Sequence, residues 1–267
     1  MQAMLNIALQ AARAAGVLIV RASDRLDRVK VETKGQHDYV TEVDRDAESI
    51  IIQHLRKAYP DHTIISEEFG VQTGKDTDSV WIIDPLDGTT NFIRGIPHYA
   101  VSIGFRYKGR MEHAVVFDPI KREEFTASRG DGAFLNEKRI RVSGRVSKAG
   151  ALFATGIPFS KQPFDNIDPY LSCMKDLAND SSGVRRLGAA SLDLAYLAAG
   201  RYDAFWEMHL HPWDIAAGVL LVREAGGMIS DFQGGDKYLD NGHIVASTPR
   251  LFKSTLSTVG KHLGHLK

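Results

Sequence analysis

The chain has 267 residues, a length that fits one large globular unit or two closely packed halves. Hydrophobic residues make up 43% and charged residues 25%, close to ordinary globular usage, which excludes a wholly disordered chain. The 33 basic and 33 acidic residues cancel, so no global positive field favours direct binding of nucleic acid.

The single cysteine, Cys173, excludes an intrachain disulfide and is typical of a protein from a reducing compartment. The N-terminal apolar stretch has no preceding basic region and is interrupted by Arg13. The longest apolar run towards the other end covers residues 215–222, far fewer than the ~20 that span a bilayer. We therefore expect a cytoplasmic protein without a targeting or membrane segment.

Apolar residues recur at three- and four-residue steps over residues 4–19, which predicts a first amphipathic helix. A second helix is predicted over residues 42–59, with Thr41 as N-cap and Pro60 as its stop. Strand patterns follow at residues 63–66, 80–83, 101–107, 111–117, 124–128, 140–142, 152–155 and 203–207, with a hairpin at Gly109. Helical patterns return at residues 170–177, 189–199, 215–224 and after Pro249, and Gly200, Gly226 and Gly227 are typical helix stops. This order is not a regular βαβ alternation, so we predict a mixed α+β fold with layered, partly antiparallel sheets.

The segment from Asp84 to Asn91, DPLDGTTN, carries the strongest chemical signal. Two carboxylates stand three residues apart at the end of a predicted strand, and Pro85 stiffens the turn between them. A rigid pair of carboxylates suits a divalent cation, which needs several oxygens held together. Gly88 and Thr89 follow at a predicted helix start, where free amides face a phosphate. The pattern indicates metal-assisted phosphate chemistry.

An ordinary strand-to-helix turn, with Asp87 as a cap, explains the same local pattern. Two further acidic positions favour the metal site. Glu67 and Glu68 follow another predicted strand, and Asp214 directly precedes a predicted helix. Each has a plain alternative, a solvated loop for the glutamates and an N-cap for Asp214.

Two signatures resemble those of the inositol monophosphatase family: DPLDGTTN at residues 84–91, and WDIAAG at 213–218, which continues to EAGG at 224–227. The likeness covers nearly the whole chain and is greatest to the bacterial SuhB-type branch. It implies a layered αβαβα sugar-phosphatase fold in one unit over residues 1–267. An N-terminal α+β half of about residues 1–148 and a C-terminal α/β half of about residues 149–267 would form it. It also implies a homodimer.

The resemblance implies a lithium-sensitive, Mg²⁺-dependent phosphatase that hydrolyses inositol 1-phosphate with a metal-activated water. Two to three Mg²⁺ ions would bind at Glu67, Asp84, Leu86 through its carbonyl, Asp87 and Asp214. Glu67, Thr89 and Asp44 are the implied catalytic residues, with Asp44 orienting Thr89. The implied substrate contacts are Asp87, Gly88, Thr89, Ala190, Glu207 and Asp214.

Several of these residues have a structural alternative. Asp44 completes a capping-box pattern with Thr41, Glu207 fits an exposed strand position, and Ala190 fits helix packing. Two positions depart from the family pattern. Phe69 replaces a small polar residue after the glutamate pair, and His209 stands where glycine is common.

His98 and His113 fit packing or surface positions, and His209 has no partner at a metal-motif spacing. Phosphatases for another sugar or nucleotide phosphate keep the same motifs, so the substrate stays open. The SuhB-type branch is also associated with transcription antitermination proteins, which makes a bifunctional protein an alternative. The Arg185–Arg186 pair is the feature to examine for such a partner, although a surface pair before a helix is the commoner explanation.

Overall fold

A computed structural model describes residues 2–35, 38–157 and 167–266 of the chain. Its helices are α1 Gln2–Ser23, α2 Glu42–Ala58, α3 Thr89–Ile93, α4 Ile167–Ala178, α5 Ala190–Ala198, α6 Pro212–Glu224, α7 Tyr238–Asn241 and α8 Pro249–Leu263. The first seven strands are β1 Val31–Gly35, β2 Asp38–Thr41, β3 His62–Ser66, β4 Gly70–Gln72, β5 Asp76–Asp87, β6 Ala100–Tyr107 and β7 Arg110–Asp118. The others are β8 Glu123–Ser128, β9 Gly132–Leu135, β10 Lys138–Ile140, β11 Leu152–Thr155, β12 Gly183–Arg185, β13 Ala204–Glu207, β14 Met228–Ser230 and β15 Ile244–Ser247.

Two large sheets organise these elements. The first has eight strands in the order β10-β9-β8-β7-β6-β5-β3-β4, and only its β3–β5 pair is parallel among the described residues. The second has five strands in the order β12-β11-β13-β15-β14, with parallel pairs on both sides of β11. Strands β1 and β2 form a separate hairpin. The predicted mixture of parallel and antiparallel pairing is confirmed.

Helices cover both sheets and separate them. The pair α1 and α2 packs on one face of the eight-stranded sheet, and α5 with α6 packs on the other. The same two inner helices contact the five-stranded sheet, whose outer face is covered by α4 and α8. The described residues therefore form five layers in the order αβαβα, as predicted. The predicted boundary near residue 148 lies between the two sheets, and the division into halves stays a prediction.

Strand alternation divides the buried side chains among three cores. Trp81 and Ile83 of β5 face the core under α1 and α2, whereas Val80 and Ile82 face the inner helices. In β13, Phe205 likewise faces the inner helices and its neighbours face α4 and α8. Successive side chains of a strand point to opposite faces, so a strand between two helical layers becomes apolar on both.

Helix α6 lies between the two sheets, and this position explains its composition. Residues 215–222 are all buried, so the helix is apolar around its whole circumference. Gly218 allows a close approach to α5, because a Cβ atom there would lie 2.5 Å from Leu194 Cβ. The eight-residue apolar run of the sequence is thus an inner core helix.

Helix α1 is long and apolar enough, over Ala3–Ser23, to span a membrane by length and composition. Its alanine face is nevertheless packed inside the protein: Ala8, Ala11, Ala12 and Ala15 are each at most 1% exposed. Gly16 lets the helix approach β7, since a Cβ atom there would lie 2.5 Å from Phe117 Cε1. These contacts are those of a core helix.

Most predicted elements are present, and the exceptions have physical reasons. The Gly109 hairpin is confirmed, with both turn residues at positive φ, 47° at Lys108 and 78° at Gly109. The strand predicted at residues 140–142 is wrong beyond Ile140, because the Val142 amide donates to the Ala225 carbonyl instead of to a strand. The predicted order, with two helices before the first strand, missed the β1–β2 hairpin between α1 and α2.

Candidate active site

Two strands deliver acidic residues to one edge of the eight-stranded sheet. Strands β3 and β5 are parallel, with Ser66 opposite Ile83, so Glu67 and Asp84 follow side by side at this edge. The Glu67 amide donates to the Ile83 carbonyl at 3.2 Å and holds this alignment beyond the last strand pair. Asp84 is 2% exposed. The arrangement follows from the rule that carboxyl ends of parallel strands meet at the same edge.

The loop that follows β3 and contains Glu67 is held in place by Glu48, a fully buried residue of α2. Its carboxylate accepts hydrogen bonds from Ser66 Oγ at 2.5 Å, the Glu68 amide at 2.9 Å and the Phe69 amide at 2.8 Å. Phe69 itself is exposed, so this departure from the family pattern leaves the loop in place. Sequence reasoning missed Glu48, whose only signal is a second acidic residue on the mainly apolar face of α2, one turn after Asp44.

Strand β5 does not end at Ile83 as predicted but continues to Asp87 through an irregularity. Pro85 fits there because its missing amide falls where the ladder is already interrupted. The Leu86 amide donates to Asp84 Oδ1 at 3.0 Å, and the Leu86 carbonyl accepts from Thr89 Oγ1 at 3.1 Å. The second bond shows that the Leu86 carbonyl is on the Thr89 side of the turn.

Gly88 is the N-cap of α3, as the helix-start pattern predicts, and it adopts a left-handed φ of 96°. A Cβ atom there would lie 3.0 Å from the His98 carbonyl, so both the conformation and the space favour glycine. Thr89 is the first residue of the helix. The amides of this first turn are those that helical bonding leaves without a carbonyl partner.

Asp44 makes the hydrogen bonds of the capping box and also contacts Thr89. Its Oδ2 atom accepts from the Thr41 amide at 2.8 Å and from Thr41 Oγ1 at 2.5 Å, which completes the capping box of α2. Its Oδ1 atom accepts from Thr89 Oγ1 at 3.0 Å. Burial raises the pKa of Asp44, against the bonds from Thr41 and Thr89 that lower it.

Asp214 lies at the start of α6, next to Pro212 at the first helical turn. The His211 amide donates to Asp214 Oδ2 at 2.7 Å, and the His211 ring stacks on Trp213 with centroids 4.7 Å apart. Ser102 Oγ donates to the Trp213 carbonyl at 3.3 Å and ties the helix start to β6. The helix therefore begins three residues before the predicted start, and the N-cap alternative for Asp214 is wrong: His211 is the N-cap, and Asp214 binds its amide from the first turn through one of its two oxygens.

Asp87 is joined to the start of α5 across the interior. Its Oδ2 atom accepts from the Ser191 amide at 2.7 Å and from Ser191 Oγ at 2.5 Å. These contacts bring Ala190 close to the acidic turn. Burial raises the pKa of Asp87 to about 6, although both bonds from Ser191 lower it. Ser191 was missed by sequence reasoning, because 104 residues separate it from its partner.

The acidic side chains are close enough to repel each other. Burial raises the pKa of Asp84 well above its ordinary value, and the charges of Glu67, Asp87 and Asp214 raise it further. Burial likewise raises the pKa of Asp214, with Asp87 as the largest charge contribution. Buried, mutually repelling carboxylates are typical of sites that bind a cation.

The donor set fits a hard divalent cation, since every candidate ligand atom is an oxygen. Within the described ranges, however, no three acidic, histidine or cysteine side chains are already gathered as a metal-binding group. Instead, one oxygen each of Asp84, Asp87 and Asp214 accepts a bond from the protein. A carboxylate has two oxygens and about four lone-pair sites, so these bonds leave capacity for a cation.

Glu207 ends β13 and is half-buried rather than fully exposed. Burial and the charge of Asp87 raise its pKa to about 8, although Arg186 and a bond from the Gly156 amide lower it. The site thus brings Glu207 into the field of Asp87. Asp193 in α5 is a further buried acid there, because burial and then Glu207 raise its pKa well above the usual range.

The remaining predicted positions lie outside this cluster. His209 adopts a left-handed φ of 61°, which explains why glycine is common at this place in the family. Its ring meets His243 edge to face, with centroids 5.0 Å apart. His98 and His113 are buried packing residues, and burial raises the pKa of Cys173 to about 12, which disfavours a thiolate nucleophile.

Known proteins resemble this chain over nearly its whole length. The inositol monophosphatase family pattern matches residues 1–263. The "Nus factor SuhB" of Pseudomonas aeruginosa is 60% identical over 265 residues, covering 98% of both chains, and that of Escherichia coli K12 is 52% identical over 263 residues, again 98% of both.

Solved structures extend the likeness. The extragenic suppressor protein suhB from Bartonella henselae has a TM-score of 0.94 at 42% identity, covering 98% of this chain and 100% of its own. The Thermotoga maritima IMPase has a TM-score of 0.89 at 33% identity, with both chains covered completely. On this match over nearly the whole chain, and on relatives and solved structures of the same fold, this chain belongs to the inositol monophosphatase family and is a phosphatase of that superfamily.

Proposed function

We propose that the protein is a Mg²⁺-dependent phosphomonoesterase that hydrolyses inositol 1-phosphate to inositol and phosphate and is inhibited by lithium. The observation that carries the proposal is the cluster of repelling carboxylates beside the hydrogen-bonded Thr89–Asp44 pair. The carboxylate cluster suits the binding of cations, and the Thr89–Asp44 pair suits the transfer of a proton. Both lie where the family motifs occur, at residues 84–91 and 213–218.

Glu67, Asp84 and the Leu86 carbonyl would hold one Mg²⁺ ion, and Asp84, Asp87 and Asp214 a second, with Glu67 also near a third. When bound, Mg²⁺ increases the acidity of coordinated water and offsets the charge of phosphate oxygens. Asp84 is the shared residue in this assignment. The charges of three acidic neighbours all raise the pKa of Asp84, which supports the shared role.

The Thr89 hydroxyl donates to Asp44 Oδ1, which turns the Thr89 oxygen into an acceptor for another proton donor. We assign that donor as the attacking water, with Asp44 holding the proton that Thr89 passes on. Burial of Asp44 increases its affinity for a proton, as a general base requires. Glu67 would take part as a ligand of the cation that it holds together with Asp84.

The first turn of α3 contributes Gly88 and Thr89 to phosphate binding through their amides. Asp87 and Asp214 would contact the same substrate. On the far side, Ala190 and Glu207 would contact the polyol. A carboxyl group accepts hydroxyl hydrogen bonds in either charge state, so a pKa near 8 is compatible with this role.

The decisive experiment is phosphate release from a panel of phosphomonoesters with and without Mg²⁺. The panel includes inositol 1-phosphate, a sugar bisphosphate, a 3′-phosphoadenosine nucleotide and p-nitrophenyl phosphate. Asp84→Asn is expected to lose activity by at least about 1000-fold while it stays folded, with a thermal midpoint no lower than that of the wild type. Asp78→Asn, an exposed aspartate of the same strand, is the matched control and should keep full activity. Preference for another ester would reassign the substrate, and equal turnover without Mg²⁺ would refute the metal assignment.

A second function is favoured by the relatives, which are named Nus factors at 60% and 52% identity. We propose that the protein also binds a transcription antitermination protein, in the cytoplasm and as a homodimer. Net charge zero favours a protein partner over direct contact with nucleic acid. The exposed Arg185 and Leu187 lie on the surface where such a contact is to be tested.

Pull-down with purified Nus factors tests this proposal, and light scattering measures the oligomeric state. Asp84→Asn should bind as the wild type does, because the substitution is buried. Arg185→Glu combined with Leu187→Ser should weaken binding while phosphate release is retained. Absence of any bound Nus factor would contradict the second function and leave the phosphatase untouched.

A further inference from the structure

The residue that faces the Glu207 carboxylate is Gly156, directly after β11. An ideal Cβ atom on Gly156 would lie 1.7 Å from Glu207 Oε1, 2.1 Å from its Cδ and 2.5 Å from its Oε2. The whole carboxylate of Glu207 therefore packs directly against the Cα atom of Gly156. The Gly156 amide also donates a hydrogen bond to it.

Glu207 benefits from such a donor because two of its neighbours are acidic, although the basic Arg186 also favours its ionised form. The charge of Asp87 opposes its ionisation, and Glu207 in turn opposes the ionisation of Asp193. The Oδ1 atom of Asp193 is buried and has no hydrogen-bond partner within the described ranges. A carboxylate between two such neighbours keeps one orientation only where a fixed donor binds it.

A buried hydroxyl chain fixes the Gly156 peptide. The Tyr170 hydroxyl donates to the Gly156 carbonyl and contacts Thr155 Oγ1. Thr155 Oγ1 donates to the Trp206 carbonyl at 2.6 Å, which joins the ends of β11 and β13. Thr155, Tyr170 and Trp206 are all fully buried. The chain therefore connects the peptide beneath Glu207 to the strand that carries Glu207.

We infer that Gly156, Thr155 and Tyr170 form a seat that positions Glu207 and thereby selects polyol phosphates over esters without hydroxyl groups. The inference rests on the proposed function for its substrate, and it assigns positioning roles to three residues outside the acidic cluster. The seat acts through Glu207 only. Its loss lowers discrimination between substrates and leaves the phosphate chemistry in place.

Gly156→Ala tests the seat, because Gly156 has no positive φ and the substitution changes only the space beside it. We expect kcat/KM for inositol 1-phosphate to fall about tenfold, the lower range for a hydrogen bond to a charged group. Turnover of p-nitrophenyl phosphate should change less than about twofold. Gly144→Ala is the matched control, since a Cβ atom there meets nothing within 4 Å.

Shortening the acid should relieve the clash. Glu207→Asp in the Gly156→Ala background is expected to recover selectivity, and Tyr170→Phe should lower it mildly through the loosened peptide. Equal losses on both substrates in Gly156→Ala, or no recovery in the double variant, would overturn the seat, since a merely structural glycine gives those results.

NMR tests the contact without any substrate. The Gly156 amide resonance should shift in Glu207→Ala, and an unchanged resonance refutes the seat. A wild type that releases no phosphate from inositol 1-phosphate refutes the proposed function instead. The two failures are therefore distinguishable.

Discussion

Replacing Asp87 by Asn should make the metal-free protein more stable at alkaline pH. Burial raises the pKa of Asp87 from an ordinary value near 3.8 to about 6. A rise of about two pH units corresponds to roughly 3 kcal/mol of preference for the neutral carboxyl group in the folded state. Because the folded pKa lies above the unfolded one, this stabilisation is complete below about pH 3.8 and is lost as the pH rises through about 6.

Asparagine is neutral at every pH and keeps an oxygen for the Ser191 amide and hydroxyl. In EDTA at pH 8, we expect Asp87→Asn to gain up to about 3 kcal/mol in the free energy of unfolding, or roughly 6–12 °C in Tm. At pH 3.5 the gain should vanish, since the wild-type carboxyl group is then neutral too. Urea and thermal unfolding at pH 3.5, 6 and 8 measure this difference.

Asp118→Asn is the matched control, because Asp118 is a buried aspartate with a basic partner. Lys121 Nζ donates to its Oδ2 at 2.6 Å, and two amides donate to its Oδ1. Neutralising it should cost about 1–3 kcal/mol at pH 8. A gain for Asp87→Asn that is absent at pH 8, or equal at pH 3.5, would falsify the repulsion argument. Added Mg²⁺ should stabilise the wild type more than the variant.

Three further substitutions and one inhibitor test the site and the inner core. Asp44→Asn should lower kcat about 100-fold, whereas exposed Asp46→Asn should leave it unchanged; steady-state kinetics compare the two. Ser191→Ala removes a bond that lowers the pKa of Asp87, so the acidic limb of the kcat/KM profile should move to higher pH, and a fixed limb contradicts the contact. Gly218→Val should reduce the free energy of unfolding by about 1–3 kcal/mol in urea titrations because of the contact with α5. Millimolar lithium should inhibit uncompetitively, and unaffected turnover would count against the second cation site.

The local geometry of the site could be predicted from the sequence because it depends on neighbouring residues. Pro85 restricts the turn, Gly88 supplies the left-handed residue, and the helix start at Thr41 follows from its capping pattern. The start of α6 was placed at Asp214 instead of at His211. Each of these features is complete within about six residues. The family motifs then join the segments without any knowledge of the fold.

The supports of the site could not be predicted, because their partners are distant in sequence. Glu48 holds amides 20 and 21 residues away, and Ser191 binds an aspartate 104 residues away. The short strand β15 was missed for a related reason. Its four residues are all buried, so they lack the alternation that marks a half-buried strand.

Asp44 can stabilise the start of α2 and also serve the proposed catalysis, because its two carboxylate oxygens have different partners. The capping box occupies Oδ2 and thereby directs Oδ1 towards Thr89. In Asp44→Asn, the amide oxygen would keep the two bonds from Thr41, and the amide nitrogen would face Thr89. Thr89 would then have to accept a hydrogen bond rather than donate one. The helix cap would survive while the proton acceptor is lost, so unchanged stability with reduced kcat is the result that separates the two oxygens.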